Sequence, residues 1–307
     1  MKHPLPQLLA FKAVLDTGSM TEAAHVLGKS QPAVSNLIAR LELDIGLPLF
    51  DREKGRLRPT SEALALSATV GQLLSGYRRM EASVEMLKSG GGGHLVLATL
   101  PMVGNVLLPK TVARFREHAP DVTVRVQTME STKVHDALAS GVFDLGIAAT
   151  PFDAASVRIE SFSVPCVAIL SKSNPIQETQ YLSARTLSDV PFVAVMPDRL
   201  HYHTVAQTFE KAGVPWNVVC ESDSFRIAAE IVSGSDCVAI VDALTALEMS
   251  EVLTIRPFHP TISYEFALYR GADLQKRPVV DEFSSVFCED ASKAIKAIYR
   301  EFDKLQT

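Results

Sequence analysis

The chain has 307 residues, of which 47% are hydrophobic, and a formal net charge of −5. This length predicts two or three domains with sizeable cores, and no apolar run approaches the roughly 18–20 residues that span a bilayer. No basic and apolar leader precedes the first amphipathic pattern, so a cytoplasmic protein is expected. The cysteines have no CxxC spacing and predict buried, reduced thiols. They are Cys166, Cys220, Cys237 and Cys288.

The charge is unevenly distributed along the chain. Residues 1–88 hold 11 Lys and Arg against 9 Asp and Glu, whereas the remainder holds 19 against 26. A slightly basic head on an acidic body fits a protein in which the head alone binds DNA.

Residues 18–43 have the pattern of two short helices joined by a turn. Thr21 is expected to cap the first helix, Gly28 ends it, and Ser30 is expected to cap the second, with Pro32 in its first turn. The second helix is predicted over 33–43 and turns its apolar residues inward. A helix in this position enters the major groove, where polar side chains read base edges and phosphates. Its polar face carries Gln31, Ser35, Asn36 and Arg40.

Two short extended runs around Lys54-Gly55 predict a small hairpin, or wing. A run of charge is often only a solvated surface, and Asp51 and Glu53 dilute this one. After a helix-turn-helix, however, the wing favours contact with phosphates, which sets the register without reading sequence. Its basic residues are Arg52, Lys54, Arg56 and Arg58.

One long helix is predicted over 61–88, ahead of a glycine run at 90–93. Its apolar residues follow a 4-3 spacing over three heptads, which is typical of a coiled-coil seam. Such a seam needs a partner. A second copy of the helix is favoured because the glycines free it from the next domain, and the alternative is the chain's own C-terminal domain. The seam consists of Leu66, Val70, Leu73, Tyr77, Met80, Val84 and Leu87.

After Gly93 the pattern changes to alternating strands and helices, which indicates βαβαβ units with parallel strands. The pattern occurs twice, so an α/β domain of one or two lobes is expected. The first unit has strands at 94–100, 122–129 and 144–150 and helices at 105–118 and 131–140. The second unit has strands at 192–196, 218–221 and 237–242 and helices at 200–212 and 224–233. Strands 161–171 and 264–270 and a helix at 279–303 complete the expected elements.

The head resembles the LysR-type transcriptional regulators through ordered matches over about fifty residues. The chain departs from the family pattern after the wing, where no glycine follows Pro59-Thr60 closely. The matching words are Leu9-Ala10-Phe11, Gly18-Ser19-Met20-Thr21-Glu22-Ala23-Ala24, Ser30-Gln31-Pro32-Ala33-Val34-Ser35-Asn36-Leu37-Ile38, Leu41-Glu42, Gly46-Leu47-Pro48-Leu49-Phe50 and Arg58-Pro59-Thr60.

The resemblance implies three parts: an all-α winged helix-turn-helix at 1–60, a dimerising linker helix at 61–89, and an effector domain at 90–307. The last is expected to be a two-lobed α/β domain of the periplasmic-binding-protein type 2. Its lobe I would span about 90–163 and 266–307, and its lobe II about 164–265. The implied partners are a double-stranded DNA operator, a small-molecule effector, RNA polymerase, and further copies in a dimer or a homotetramer (a dimer of dimers).

Parallel α/β sheets bind ligands beyond the carboxyl ends of their strands, close to helix N-termini. Hydroxyl and free N–H groups there suit a carboxylate, although each residue could also be an ordinary helix cap. Words such as Val241-Asp242-Ala243-Leu244 are similar to the branch of the family that senses amino acids and opines. The expected effector residues are Leu100, Pro101, Met102, Thr128, Ser131, Thr150, His201, Tyr202 and Ser222.

Other functional classes fit the sequence less well. An enzyme would need a catalytic constellation, and no Walker loop, GxGxxG, GxSxG or HExxH word occurs. A transporter's solute-binding protein would need a leader and no DNA-binding head. A purely architectural DNA-binding protein would not need a ligand-sized cleft. His201 and His203 lack the further ligands of a metal site, so neither a metal nor a cofactor is expected.

Overall fold

The computed structural model describes residues 5–53, 56–88, 93–139, 141–150, 157–271 and 277–305. The chain separates into two compact units, and their main boundary lies at Gly91–Gly92. In the part of the chain that is described, none of the helices combines the length and the apolar character that a membrane crossing requires.

The N-terminal unit begins with three helices around one apolar core. They are α1 (Leu5–Thr17), α2 (Met20–Val26) and α3 (Gln31–Ile45), followed by strands β1 (Phe50–Glu53) and β2 (Arg56–Pro59) and the helix α4 (Ser61–Lys88). Val34, Ile38 and Leu41 follow the helical period, so they lie on one face of α3 and are buried there against α1, which contributes Phe11. Helix α3 ends at Gly46, whose φ of 79° is left-handed and therefore favours glycine.

Two expected helix starts in the head differ from the structure. The expectation that Thr21 caps α2 is wrong, because the helix already begins at Met20. The cap is Ser19, whose Oγ accepts a hydrogen bond of 3.4 Å from the N–H of Glu22. Helix α3 begins at Gln31, two residues earlier than predicted. Ser30 holds the cap position but makes no capping bond with its side chain.

The predicted long helix is confirmed as α4, but the first part of its apolar seam is buried and the later part is exposed. Val70 is buried and Leu66 is partly buried in the core of the N-terminal unit, together with Leu74, which lies outside the predicted seam. The later seam residues are exposed: Leu73 by 52%, Tyr77 by 36%, Met80 by 53% and Val84 by 41%. The side chain of Leu87 lies outside the described part.

The first half of the C-terminal unit is built on a parallel sheet. Strands β3 (His94–Thr99), β4 (Thr123–Thr128) and β5 (Leu145–Ala149) are joined through helices α5 (Pro101–Val106), α6 (Leu108–His118) and α7 (Ser131–Ala139). β3 lies between β4 and β5 and runs parallel to both. The single helix predicted over 105–118 is in fact two, because Pro109 lies in the first turn of a new helix after Leu107.

One long strand, β6 (Val157–Ser171), belongs to both halves of the unit. Its first part pairs with β12 (Ser263–Arg270), and its later part pairs with β10 (Val238–Asp242) and β11 (Leu253–His259). We call the strands β3, β4, β5, β12 and the start of β6 lobe I, and the remaining strands lobe II. Lobe II also contains β7 (Leu182–Ser183), β8 (Phe192–Val195), α8 (Leu200–Ala212), β9 (Val218–Ser222), α9 (Phe225–Ser233) and α10 (Ala243–Glu248).

Each lobe has its own aromatic packing. The final helix, α11 (Pro278–Leu305), packs on lobe I, where the rings of Phe115 and Phe283 meet edge to face at 5.2 Å. In lobe II, Trp216 packs against Phe209 at 5.7 Å and Tyr202 at 4.9 Å. It is the only tryptophan in the sequence.

Candidate nucleic-acid interface and effector cleft

Helix α3 separates its apolar residues from its polar residues, as expected. Val34, Ile38 and Leu41 are buried in the core of the head, whereas Asn36 and Arg40 are exposed. Ser35 and Gln31 are partly exposed on the same helix, and Thr21, Ser30 and Pro32 are exposed nearby. The polar side chains are therefore free to contact an external partner, because the apolar ones already hold the helix in place.

The wing is fixed to α3 by one carboxylate. Glu42, in the last turn of α3, accepts hydrogen bonds from the backbone N–H groups of Leu49 at 2.7 Å and Phe50 at 3.1 Å. On the far side, the Thr60 hydroxyl donates to the Pro48 carbonyl at 2.9 Å and accepts from the N–H of Ala63 at the start of α4. These bonds hold the start of the hairpin against α3, which carries the polar face, and its end against Pro48 and the start of α4.

Strands β1 and β2 confirm the predicted hairpin, with Asp51 paired with Arg58 and Arg52 with Leu57. Arg58 is exposed. The side chains of Arg52 and Arg56, and the whole of Lys54, lie outside the described part of the chain, so their predicted phosphate contacts remain predictions.

A cavity of about 810 Å³ opens between lobe I and lobe II. The expected effector residues Tyr202 and Ser222 are absent from its walls: Tyr202 packs on Trp216, and Ser222 is buried with its hydroxyl donating to the Ser224 carbonyl at 3.0 Å. The other seven all line it, namely Leu100, Pro101, Met102, Thr128, Ser131, Thr150 and His201.

The lobe I wall presents hydroxyl groups beside a helix N-terminus. Ser131 begins α7, and its Oγ accepts a 3.0 Å hydrogen bond from the N–H of Ala149, which leaves its own O–H available as a donor. Thr128 ends β4 and packs tightly, because a Cβ on Gly104 would lie only 2.6 Å from its Cγ2. The first N–H groups of a helix have no partner within the helix, so this wall can bind an anion.

The lobe II wall contains a cluster of aromatic rings. The His201 ring lies edge to face against Phe225 at 4.9 Å, and Phe225 lies against Tyr264 at 5.4 Å. His201 Nε2 donates to the Ile240 carbonyl at 2.9 Å, and its Nδ1 lies 3.9 Å from the Cys166 sulfur. Burial lowers the pKa of His201 to about 4, so the ring is neutral at pH 7 and both nitrogens are engaged within the fold.

Burial shifts the pKa values of the groups in and behind this wall in the direction that favours their neutral forms. Burial is the main cause that raises the pKa of Tyr264 to about 12, and the nearby carboxyl of Asp242 adds to it. Burial also raises the pKa of Asp242 to about 6 and that of the Cys166 thiol well above its usual value. Among the described residues, no group of three or more His, Cys, Asp and Glu side chains is placed to hold a metal ion.

The charged residues on the cavity wall were mostly not predicted. Arg199, at the start of α8, has its Nη2 atom 3.2 Å from Oε1 of Glu130, which precedes α7, and Lys133 lies 3.4 Å from the same carboxylate. Asp223 and Glu265 also line the cavity and are exposed. Charged residues at the surface are common and usually only solvated, so the sequence carries no local signal that distinguishes these residues.

Comparison with known families matches both units. Residues 5–64 match the family described as "Bacterial regulatory helix-turn-helix protein, lysR family", and residues 88–291 match "LysR substrate binding domain".

Individual relatives cover nearly the whole chain. The chain is 30% identical over 276 residues to the transcriptional activator protein LysR of Escherichia coli K12, which covers 89% of each chain. It is 28% identical over 283 residues to the octopine catabolism/uptake operon regulatory protein OccR of Rhizobium meliloti, covering 92% of this chain and 94% of that one. Full-length CbnR, solved with its target DNA, shares the fold with a TM-score of 0.65 at 19% identity, covering 94% of this chain and 100% of CbnR.

Proposed function

The chain belongs to the LysR family of transcriptional regulators, and on that premise we propose that it binds a specific operator through α3 and the wing and responds to an amino-acid-like or opine-like compound in the cleft. The proposal rests on two observations taken together: the polar side chains of α3 face outward, and a cavity of about 810 Å³ lies between the two lobes. Both are fixed by the fold around them.

In the proposed complex, α3 lies in the major groove, with Ser35 and Asn36 at base edges and Arg40 at a base edge or a phosphate. Thr21, Ser30, Gln31 and Pro32 flank this surface, and the wing supplies Arg52, Lys54, Arg56 and Arg58 to the backbone. The hydrogen bonds that Leu49 and Phe50 donate to Glu42 support a fixed spacing between α3 and the wing.

Binding-site selection from random DNA tests this assignment. Asn36→Ala should change the selected bases, and Arg40→Ala should weaken binding by roughly 1–3 kcal/mol if it contacts a base edge. Arg226→Ala is a matched control, because it also removes one positive charge but lies on α9 in the other unit, paired with Glu230 at 2.7 Å. If Ser35→Ala and Asn36→Ala both select the wild-type site, the placement of the reading face is wrong.

The cleft supports an effector with charges of both signs. The start of α7 and the Thr128, Ser131 and Thr150 hydroxyls suit a carboxylate, and Asp223 and Glu265 suit an ammonium or guanidinium group. OccR, whose name refers to octopine, is similar over nearly the full length. A thermal-shift screen tests the class: amino acids and opines should stabilise the C-terminal unit, and stabilisation by aromatic or sugar acids alone would exclude them.

We further propose a homodimer through the exposed half of the α4 seam, and a dimer of dimers through the effector domains. The exposed Leu73, Tyr77, Met80 and Val84 support this, because an apolar heptad face of this length needs a partner in water. Domain limits of 1–60, 61–89 and 90–307 follow the family pattern, with lobes at about 90–163 and 266–307 and at 164–265. A regulator of this kind acts in the bacterial cytoplasm, with RNA polymerase as a further partner.

We propose that the two-lobed domain senses its ligand and does not catalyse a reaction. One pair at the cleft wall resembles a catalytic arrangement: the sulfur of Cys166, which is buried behind the wall, lies 3.9 Å from Nδ1 of His201, which lines the cavity. Burial raises the pKa of that thiol well above its usual value, and the thiolate is the form that would act as a nucleophile. The His201 ring is in addition engaged with the Ile240 carbonyl.

A further inference from the structure

An ion pair crosses the effector cleft. Glu130 precedes α7 of lobe I, Arg199 precedes α8 of lobe II, and both side chains line the cavity. Their nearest atoms, Oε1 and Nη2, are 3.2 Å apart. A second interlobe pair, Lys110 with Glu248 at 3.0 Å, has neither residue on this cavity wall. The first pair therefore lies in the proposed effector site, and the second offers a control.

Arg199 is only partly satisfied by its present partners. A guanidinium carries five N–H donors in a planar fork and binds a carboxylate best through two parallel bonds. Here Nη2 contacts Glu130 at 3.2 Å, and Nε is buried and makes no hydrogen bond, although Asp198 Oδ1 lies 3.3 Å from it. The side chain is 27% exposed. It can thus gain hydrogen bonds by exchanging one carboxylate for a better-placed one.

The carboxylate of Glu130 is likewise able to bind a cation other than Arg199. Its carboxylate is 39% exposed, and its other basic partner is Lys133 on the first turn of α7, whose own side chain is 66% exposed. If Arg199 alone moved away, Glu130 would keep Lys133 as its ion-pair partner. If Glu130 alone moved away, Asp198 would be the one acidic partner left to Arg199 among the described residues. Charges in a partly desolvated cleft are costly when unpaired. A ligand that separates the two residues without loss must carry both an anion and a cation.

We propose that the effector inserts an amino-acid zwitterion between Glu130 and Arg199. Its carboxylate takes the place of Glu130 on the guanidinium, and its ammonium takes the place of Arg199 on the glutamate. The interlobe ion pair is thereby exchanged for a bridge through the ligand, so binding is coupled to the relative position of the lobes. This inference rests on the proposed sensing function of the cleft and specifies Arg199 and Glu130 as the residues that determine specificity.

The test uses calorimetric titration of the full chain with L-arginine, octopine and two analogues of arginine. Agmatine lacks the carboxylate, and 5-guanidinopentanoate lacks the α-amino group. The wild type should bind L-arginine at least tenfold more tightly than either analogue. In Arg199→Gln the affinity for L-arginine should fall to that for agmatine, and in Glu130→Gln it should fall to that for 5-guanidinopentanoate.

The variants should also respond selectively. Arg199→Gln should bind agmatine at least as tightly as the wild type, because no guanidinium is then left unpaired. Lys110→Gln, which breaks the other interlobe pair, should leave all four affinities unchanged. If the wild type binds L-arginine but neither substitution alters its affinity, the insertion is wrong and an amino-acid effector still stands. If the wild type binds the analogues as tightly as L-arginine, the proposed insertion is overturned. This comparison needs no variant, so it holds even if a variant does not fold. Failure of all four probes to bind overturns both the insertion and the proposed effector class.

Discussion

The buried ring of His201 makes a specific contribution to pH-dependent stability. Its pKa is lowered from 6.5 to about 4 by burial. Between these values the unfolded chain binds a proton that the folded chain does not, so stability falls as the pH falls from 7 to 4. A shift of this size corresponds to about 3 kcal/mol. Replacement by Gln removes the titration, so the free energy of unfolding of the wild type should fall by about 3 kcal/mol relative to His201→Gln over this range.

Urea unfolding of the full chain, followed by tryptophan fluorescence, measures this difference. Trp216 is the single tryptophan and is partly buried against the core of lobe II, so its emission reports on the lobe that contains His201. His203→Gln controls for the loss of a histidine from the same helix, since His203 is exposed. The other titrating groups are present in both the wild type and His201→Gln and cancel in that comparison. Parallel pH profiles for the wild type and His201→Gln would refute the burial of a neutral ring.

Three further predictions concern the wing, the cleft wall and the linker helix. Glu42→Ala leaves two N–H groups at the start of the wing without their acceptor. The free energy of unfolding of the head, measured in a thermal melt, should therefore fall by about 1–3 kcal/mol, and DNA binding should weaken. Gly104→Ala places a Cβ 2.6 Å from Thr128 Cγ2, which should cost about 1–3 kcal/mol of stability and weaken effector binding in a titration. Met80→Glu puts a charge into the exposed seam and should shift the chain towards monomer in sedimentation equilibrium.

Each of these has an outcome that contradicts it. Unchanged melting of the head in Glu42→Ala would mean that the wing is held by other contacts. Wild-type effector affinity in Gly104→Ala would show that Thr128 is free to shift or is not used. An unchanged assembly state in Met80→Glu, together with a monomer in a variant of another exposed face, would place the dimer interface away from α4.

Sequence patterns predicted the fold where the signal is local. The helix α8 begins and ends as the pattern predicts, at Leu200 and Ala212, because its apolar spacing and the following glycine act within one segment. The misplaced cap at Thr21 arose because Ser19 and Thr21 are both good capping residues within two positions. Only the packing of the head selects between them, and that is not visible in a local pattern.

The lining of the cavity between the lobes was predicted in part. Strand ends and helix starts identified Thr128, Ser131 and Thr150, since the carboxyl ends of parallel strands meet at one edge of the sheet. Tyr264 and Glu265 were missed because they lie on the returning strand β12, and only the pairing with β6 brings them to the cavity. Tyr202 was expected there, but its position in α8 places it partly buried against the core, where it packs on Trp216.

The central claim is operator binding controlled by a ligand in the cleft. Its most direct test is a gel shift of the full chain on the DNA upstream of its own gene, at one fixed salt concentration because phosphate contacts depend on salt. L-arginine and octopine are added in separate lanes. We expect a shift that resists non-specific competitor DNA and a footprint that changes with one of these compounds. No specific shift there, and no sequence enriched by selection from random DNA, would contradict the claim.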